Sequence, residues 1–253
     1  MEQNLLSIGT WKRLWRETTG LLAMRGNRLR MILAILIAAT AFLPELLFLQ
    51  VYSVVLDTVG EAAATTATTV WLAVSVAYLI GVLLPLFAGL FYLAGQMEAE
   101  EETVLADLFH AFTGARAYRS AFSCGMYLGI PLAALLLTPS VITDRLAGTD
   151  GNLLRLLLAA LLAVAADIVL LFLFFGWFAG PYRTVRREKP RMRHARRVGA
   201  WYWGRFLPHL LLSVLSLLIY LIADILPRML ILYFRLCREY DRFSTIQPEG
   251  NPS

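Results

Sequence analysis

Five long apolar runs, at residues 31–56, 70–95, 121–142, 153–178 and 206–234, dominate this chain. Each has about the 20 residues that a helix needs to cross the hydrocarbon core of a bilayer. Arg-rich or acidic segments separate them, and the predicted class is all-α, a single polytopic membrane domain with about five transmembrane helices. The fifth run is interrupted by Asp224, Pro227 and Arg228. Two complete crossings joined by a turn need about 40 residues, more than this run holds. One tilted span is therefore expected, leaving Arg235, Arg238 and Arg242 on the outer side. A sixth helix or a re-entrant C-terminal hairpin is the alternative.

The segments between the runs suggest amphipathic interfacial helices. Residues 1–30 place Leu14, Trp15, Leu21 and Leu22 near one helical face, with Lys12, Arg13, Arg16 and Glu17 between them. Arg25, Arg28 and Arg30 then mark the cytoplasmic edge of the first span, so the N-terminus is expected in the cytoplasm. Asp57 to Thr69 lacks Lys and Arg and reads as an outer connection, and so does the region from Asp144 to Asn152, nearly free of basic residues apart from Arg145. Leu105, Leu108, Phe109 and Phe112 recur at helical spacing and predict a second surface helix. The densest basic stretch carries Arg183, Arg186, Arg187, Lys189, Arg191, Arg193, Arg196 and Arg197 against Glu188 alone. The positive-inside rule assigns it to the cytoplasmic face.

Composition narrows the function classes. With 58% hydrophobic residues and a mean hydropathy of +0.64, the chain is too apolar for an ordinary soluble domain. The loops are too short for a second, soluble core. The net charge of +5 sits in short loops beside apolar runs, which favours anionic lipid headgroups over nucleic acid. Cys124 and Cys237 lack metal or redox spacing, and His110, His194 and His209 are scattered. No metal site, cofactor or enzyme motif is expected.

Two carboxylates stand out. Glu45 lies about 21 Å into the first run and Asp167 about 16 Å from the inner end of the fourth, at 1.5 Å per residue. An intramembrane acid is expensive unless it faces the bundle interior or water. Two such groups brought together would share a proton, as proton-coupled transport requires. Pro44, Pro85, Pro131 and Pro208 interrupt the runs and would free backbone groups of the kind transporters use for binding. Asp224 and Arg228, four apart, are expected to form a structural ion pair near the outer interface. Gly125-x-x-x-Gly129 and Gly176-x-x-x-Gly180 would let the third and fourth runs pack closely.

The run LWRETTGLLAMRGNRLRMIL from Leu14 to Leu33, Asp107-Leu108-Phe109 followed by Phe112, Gly180-Pro181-Tyr182 leading to Arg196, and Trp203-Gly204-Arg205-Phe206 carry a resemblance. They look like parts of an uncharacterised bacterial integral-membrane family, similar to the membrane domain fused to some glycerophosphodiester phosphodiesterases. The resemblance implies about six spans, a bacterial cytoplasmic membrane and a lipid setting, without an agreed activity. The expected function is a non-enzymatic accessory or scaffold whose basic face engages anionic lipid or a protein partner, a second copy of the chain included. The alternative is a small transporter or lipid-handling protein built around Glu45 and Asp167.

Overall fold

The computed structural model describes residues 7–58, 61–127, 179–186, 195–215 and 221–246, with 130, 142, 157–163, 165–166 and 170 between them. Much of the third and fourth apolar runs therefore lies outside the described residues. All elements assigned among the described residues are helices. In chain order they are α1 (Ile8–Ala23), α2 (Asn27–Thr40), α3 (Leu43–Thr58), α4 (Glu61–Tyr78) and α5 (Leu84–Glu98). A 3-10 helix, Leu105–Thr113, follows, then α6 (115–127), α7 (Gly180–Arg186), α8 (Ala195–Leu215) and α9 (Leu226–Ile246).

α1 starts where the Ser7 hydroxyl accepts the Thr10 N–H at 3.1 Å, satisfying one of the donors that a helix start leaves open. It buries Trp11, Leu14, Thr18, Leu21 and Leu22 and exposes Lys12, Arg13 and Arg16. The helix stops at the turn Met24–Gly26, where Gly26 takes φ 73°, a left-handed conformation that glycine adopts without a Cβ clash. The interfacial helix expected over 1–30 thus ends at Ala23, and Arg28 and Arg30 belong to the first turn of α2.

Prolines explain the interruptions of the apolar helices. Pro44 offers no N–H to the Thr40 carbonyl one turn back, so α2 closes and α3 restarts with Pro44 in its first turn. The Tyr78 hydroxyl donates to the Ala41 carbonyl in that break at 2.7 Å. α4 passes into α5 through a π-helical turn, Leu79–Leu83, just before Pro85. A matching π turn, Leu221–Ile225, precedes Pro227 at the start of α9. In each case the proline removes the donor that the carbonyl four residues earlier would use, and the wider turn absorbs the mismatch. Tyr118 donates to the Ile80 carbonyl at 2.9 Å in the first π turn. Arg28 Nε donates to Ala223, the carbonyl four residues before Pro227, at 3.2 Å in the second.

α3 and α4 fold against each other, with Tyr52 stacked on Trp71 at 4.8 Å and hydrogen-bonded to Thr68 at 2.9 Å. Their outward residues are apolar nearly all round: Leu47, Val54 and Val70 are 61%, 62% and 58% exposed. Asn27–Val55 and Thr65–Glu98, with mean hydropathies of 2.4 and 2.3, are long and apolar enough to cross a membrane. Only 17% and 22% of their most apolar windows are buried, unlike the mostly buried core helix of a soluble protein. The connection expected from Asp57 to Thr69 is helical from Glu61, because the Ala-rich start of this segment favours helix.

The C-terminal half of the fold departs most from expectation. α9 lies antiparallel along α1, with Arg13 to Glu239 at 2.7 Å, Arg235 to Glu17 at 3.3 Å and Arg228 to Thr19 at 3.1 Å. Beyond the end of α1, Arg28 reaches Asp224 at 3.3 Å. α8 packs beside α9: the Tyr202 hydroxyl donates to the Met229 carbonyl at 2.8 Å, and its ring meets Tyr233 at 6.0 Å. The apolar run 206–234 is accordingly shared between two helices lying side by side rather than forming one crossing helix. Arg235 and Arg238 share the side of α1, where a single span would have put them opposite. The reason is electrostatic as well as apolar, since the charges along α9 meet opposite charges on α1 and α5.

Candidate functional site

The described side chains concentrate charge and aromatic surface where α1, α8 and α9 meet. Trp11 stacks on Trp15 with ring centroids 5.8 Å apart and meets Trp201 of α8 edge-on at 5.4 Å. Trp15 also stacks on His209 at 5.0 Å, and the Arg228 guanidinium lies over its ring at 5.2 Å. Such rings have an apolar body and a polar edge, which suits the boundary between headgroups and acyl chains. Lys12, Arg13 and Arg16 project from the exposed side of α1 next to this cluster, and Arg196 and Arg197 are exposed on the first turn of α8.

Asp224 and Arg228 do pair, at 2.6 Å, but not in isolation. Arg228 also donates to Thr19, and Arg28 joins the same carboxylate from α2. The network is thereby tied to the N-terminal helix and to the start of the first apolar helix. Its two guanidiniums on one nearly buried carboxylate leave that seam positively charged at the surface, where the Arg28 side chain is 54% exposed.

A second charge pair escaped the sequence reading. Glu98 ends α5 with its side chain fully buried and meets Arg238 of α9 at 2.6 Å. Beside it, Cys237 is buried; desolvation pushes its thiol well above its usual value, a hydrogen bond with Tyr233 opposes this, and the charges of Glu98 and Asp241 add to it. Arg238 lies among Arg235, Glu239, Asp241 and Arg242 in sequence, a mixed-charge run that says nothing about a distant partner.

The intramembrane carboxylates fare unequally. Asp167 lies outside the described residues, so its relation to Glu45 rests on sequence alone. Glu45 occupies the first turn of α3, where the helix dipole favours negative charge, and its Oε2 is buried without a hydrogen-bond partner. Of the carbonyls four residues before Pro44, Pro85 and Pro227, that of Ala223 accepts from Arg28, and beside the other two breaks the Ala41 and Ile80 carbonyls accept from Tyr78 and Tyr118.

Of the basic loop, Arg183 and Arg197 are exposed on α7 and α8, and Arg196 is exposed beside Arg197. Arg186 ends α7. Arg187, Lys189, Arg191 and Arg193 lie outside the described residues, as do Gly129 and Gly176. The remaining small residues sit at close approaches, Gly125 against Leu84 of α5 and Gly180 against the Tyr127 ring. No cluster of His, Cys, Asp or Glu able to hold a metal occurs among the described residues. No protein-family model, curated protein or solved structure matches this chain.

Proposed function

We propose that this chain is a polytopic membrane protein without enzymatic activity, an accessory or scaffold whose basic face engages anionic lipid in a bacterial cytoplasmic membrane. The observation behind this is the juxtaposition of two surfaces. α3 and α4 expose apolar side chains over most of their length, and the α1–α8–α9 end presents the partly exposed Trp15 and Trp201 beside Lys12, Arg16 and Arg197. A helix that is apolar all round suits lipid contact, whereas the amphipathic α1 suits the interface. The resemblance to an integral-membrane family agrees with a lipid setting.

Each basic side chain near an anionic surface contributes about 1 kcal/mol. Combining Lys12→Gln, Arg16→Gln and Arg197→Gln should therefore weaken preference for anionic lipid by about two orders of magnitude. The measurement is the enrichment of spin-labelled phosphatidylglycerol over phosphatidylcholine around the reconstituted protein. An unchanged enrichment in the triple variant would remove the basis for the lipid-binding face.

A second reading, a small transporter, has one observation in its favour: the buried, unpartnered Oε2 of Glu45 next to the Pro44 break. Glu45→Gln that accumulates normally and abolishes a proton-linked flux in proteoliposomes would favour it over the scaffold.

A further inference from the structure

A cavity of about 420 Å³ lies between α2, α5, α8 and α9, within the size range of small-molecule sites. Ala38, Phe87, Phe91, Phe206, Met229 and Leu230 are among its walls, and no charged residue among the described residues lines it. Two of its tyrosines direct their hydroxyls to the backbone. Tyr202 donates to the Met229 carbonyl, and Tyr233 accepts the Tyr182 N–H. Their rings, rather than their polar atoms, are left to shape the space. The Asp224–Arg228 pair on the same chain segment faces Thr19 and Trp15 on the other side.

Such a cavity is poorly suited to water, which needs two to four polar partners, and to a polar ligand, which would lose its hydration without compensation. Left empty it would forfeit dispersion contacts along its whole lining. Two of its lining residues identify where it opens. Ala39 and Phe42, at the end of α2 and in the Pro44 break, belong to the lining and are also exposed. They adjoin Leu43, Leu46 and Leu47 on the outward apolar side of α3. The mouth of the cavity therefore lies on the exposed apolar surface continuous with α3.

We propose that this cavity holds one hydrocarbon chain of a membrane lipid, admitted sideways past Ala39 and Phe42. The site rests on the membrane reading above but not on the basic face. It would anchor a lipid by its tail, with the helix break setting the width of the opening.

The test uses the full chain in phosphatidylcholine vesicles containing phosphatidylglycerol with a photoreactive diazirine on one acyl chain, followed by peptide mapping. Crosslinks are expected both on the outer face of α3 and inside, at Phe87–Phe91, Tyr202–Phe206 and Met229–Tyr233. Ala39→Trp narrows the mouth and Ala38→Phe fills the interior from a different position. In either variant that retains the wild-type unfolding temperature, interior crosslinks should be lost while those on α3 persist. Wild-type crosslinks confined to α3, or interior crosslinks that survive both substitutions, would overturn the tail site while leaving the membrane reading intact. Absence of crosslinks on α3 as well would overturn both.

Discussion

At the scale of single residues, the structure separates glycines that look alike in sequence. Gly89 of α5 faces the Leu108 carbonyl so closely that a Cβ would collide with backbone, whereas Gly20 of α1 has nothing within 4 Å of that position. Gly89→Ala should destabilise by about 1–3 kcal/mol through forced backbone movement. Gly20→Ala should instead stabilise by up to about 1 kcal/mol through helix propensity. Thermal unfolding in one detergent checks both, and equal effects would contradict the close approach of α5 to the 3-10 helix. Cys237 gives a chemical counterpart. Its thiol pKa is raised by burial, so the reactive thiolate is scarce at pH 8 and increases only as the pH rises toward that elevated value. Iodoacetamide should modify it far more slowly in the folded protein than after denaturation, and comparable rates at pH 8 would mean that the site is open.

At the scale of elements, the contrast lies between a buried and an exposed ion pair that α9 makes with its neighbours. Arg238 meets the fully buried Glu98 carboxylate, whereas Arg13 meets Glu239 with its own side chain 52% exposed. Removing Arg238 takes a close cationic partner from a carboxylate held away from water, so Arg238→Ala should cost about 3 kcal/mol. Arg13→Ala should cost at most about 1 kcal/mol, because solvent screens that pair. Denaturant titration distinguishes them, and the joint replacement of Glu98 and Arg238 by methionine should restore most of the loss. The sequence made α1 legible, since Leu14, Leu21 and Leu22 mark one buried face. It could not name what covers that face, because amphipathicity fixes the existence of a partner and not its identity. Glu98 shows the same limit: it opens a segment with Glu100, Glu101 and Glu102, and its partner lies 140 residues away in sequence. The two π turns were hidden because Pro85 and Pro227 announce a disturbed helix without specifying whether it kinks, stops or widens.

At the scale of the whole molecule, the antiparallel seam between α1 and α9 decides the side on which the chain's two ends work. The run 206–234 was expected as one crossing because its composition is nearly continuous, but hydropathy averages over Asp224 and Arg228, the residues that meet Arg28 and Thr19. Once those contacts exist, a crossing between α1 and α9 is geometrically excluded, since ion-paired side chains at about 3 Å cannot lie on opposite sides of a hydrocarbon core about 30 Å thick. The consequence is testable without knowing which side is cytoplasmic. Lys12 and Arg242 are exposed, whereas the native cysteines are buried. Lys12→Cys and Arg242→Cys should therefore react with a membrane-impermeant maleimide from the same side of sealed vesicles, each in a separate variant. Labelling from opposite sides would break the α1–α9 seam and restore a single fifth crossing. Labelling from the same side would instead make Trp11, Trp15, Lys12 and Arg16 parts of one interfacial surface with the C-terminal helix, the arrangement on which a scaffold that reads anionic lipid depends.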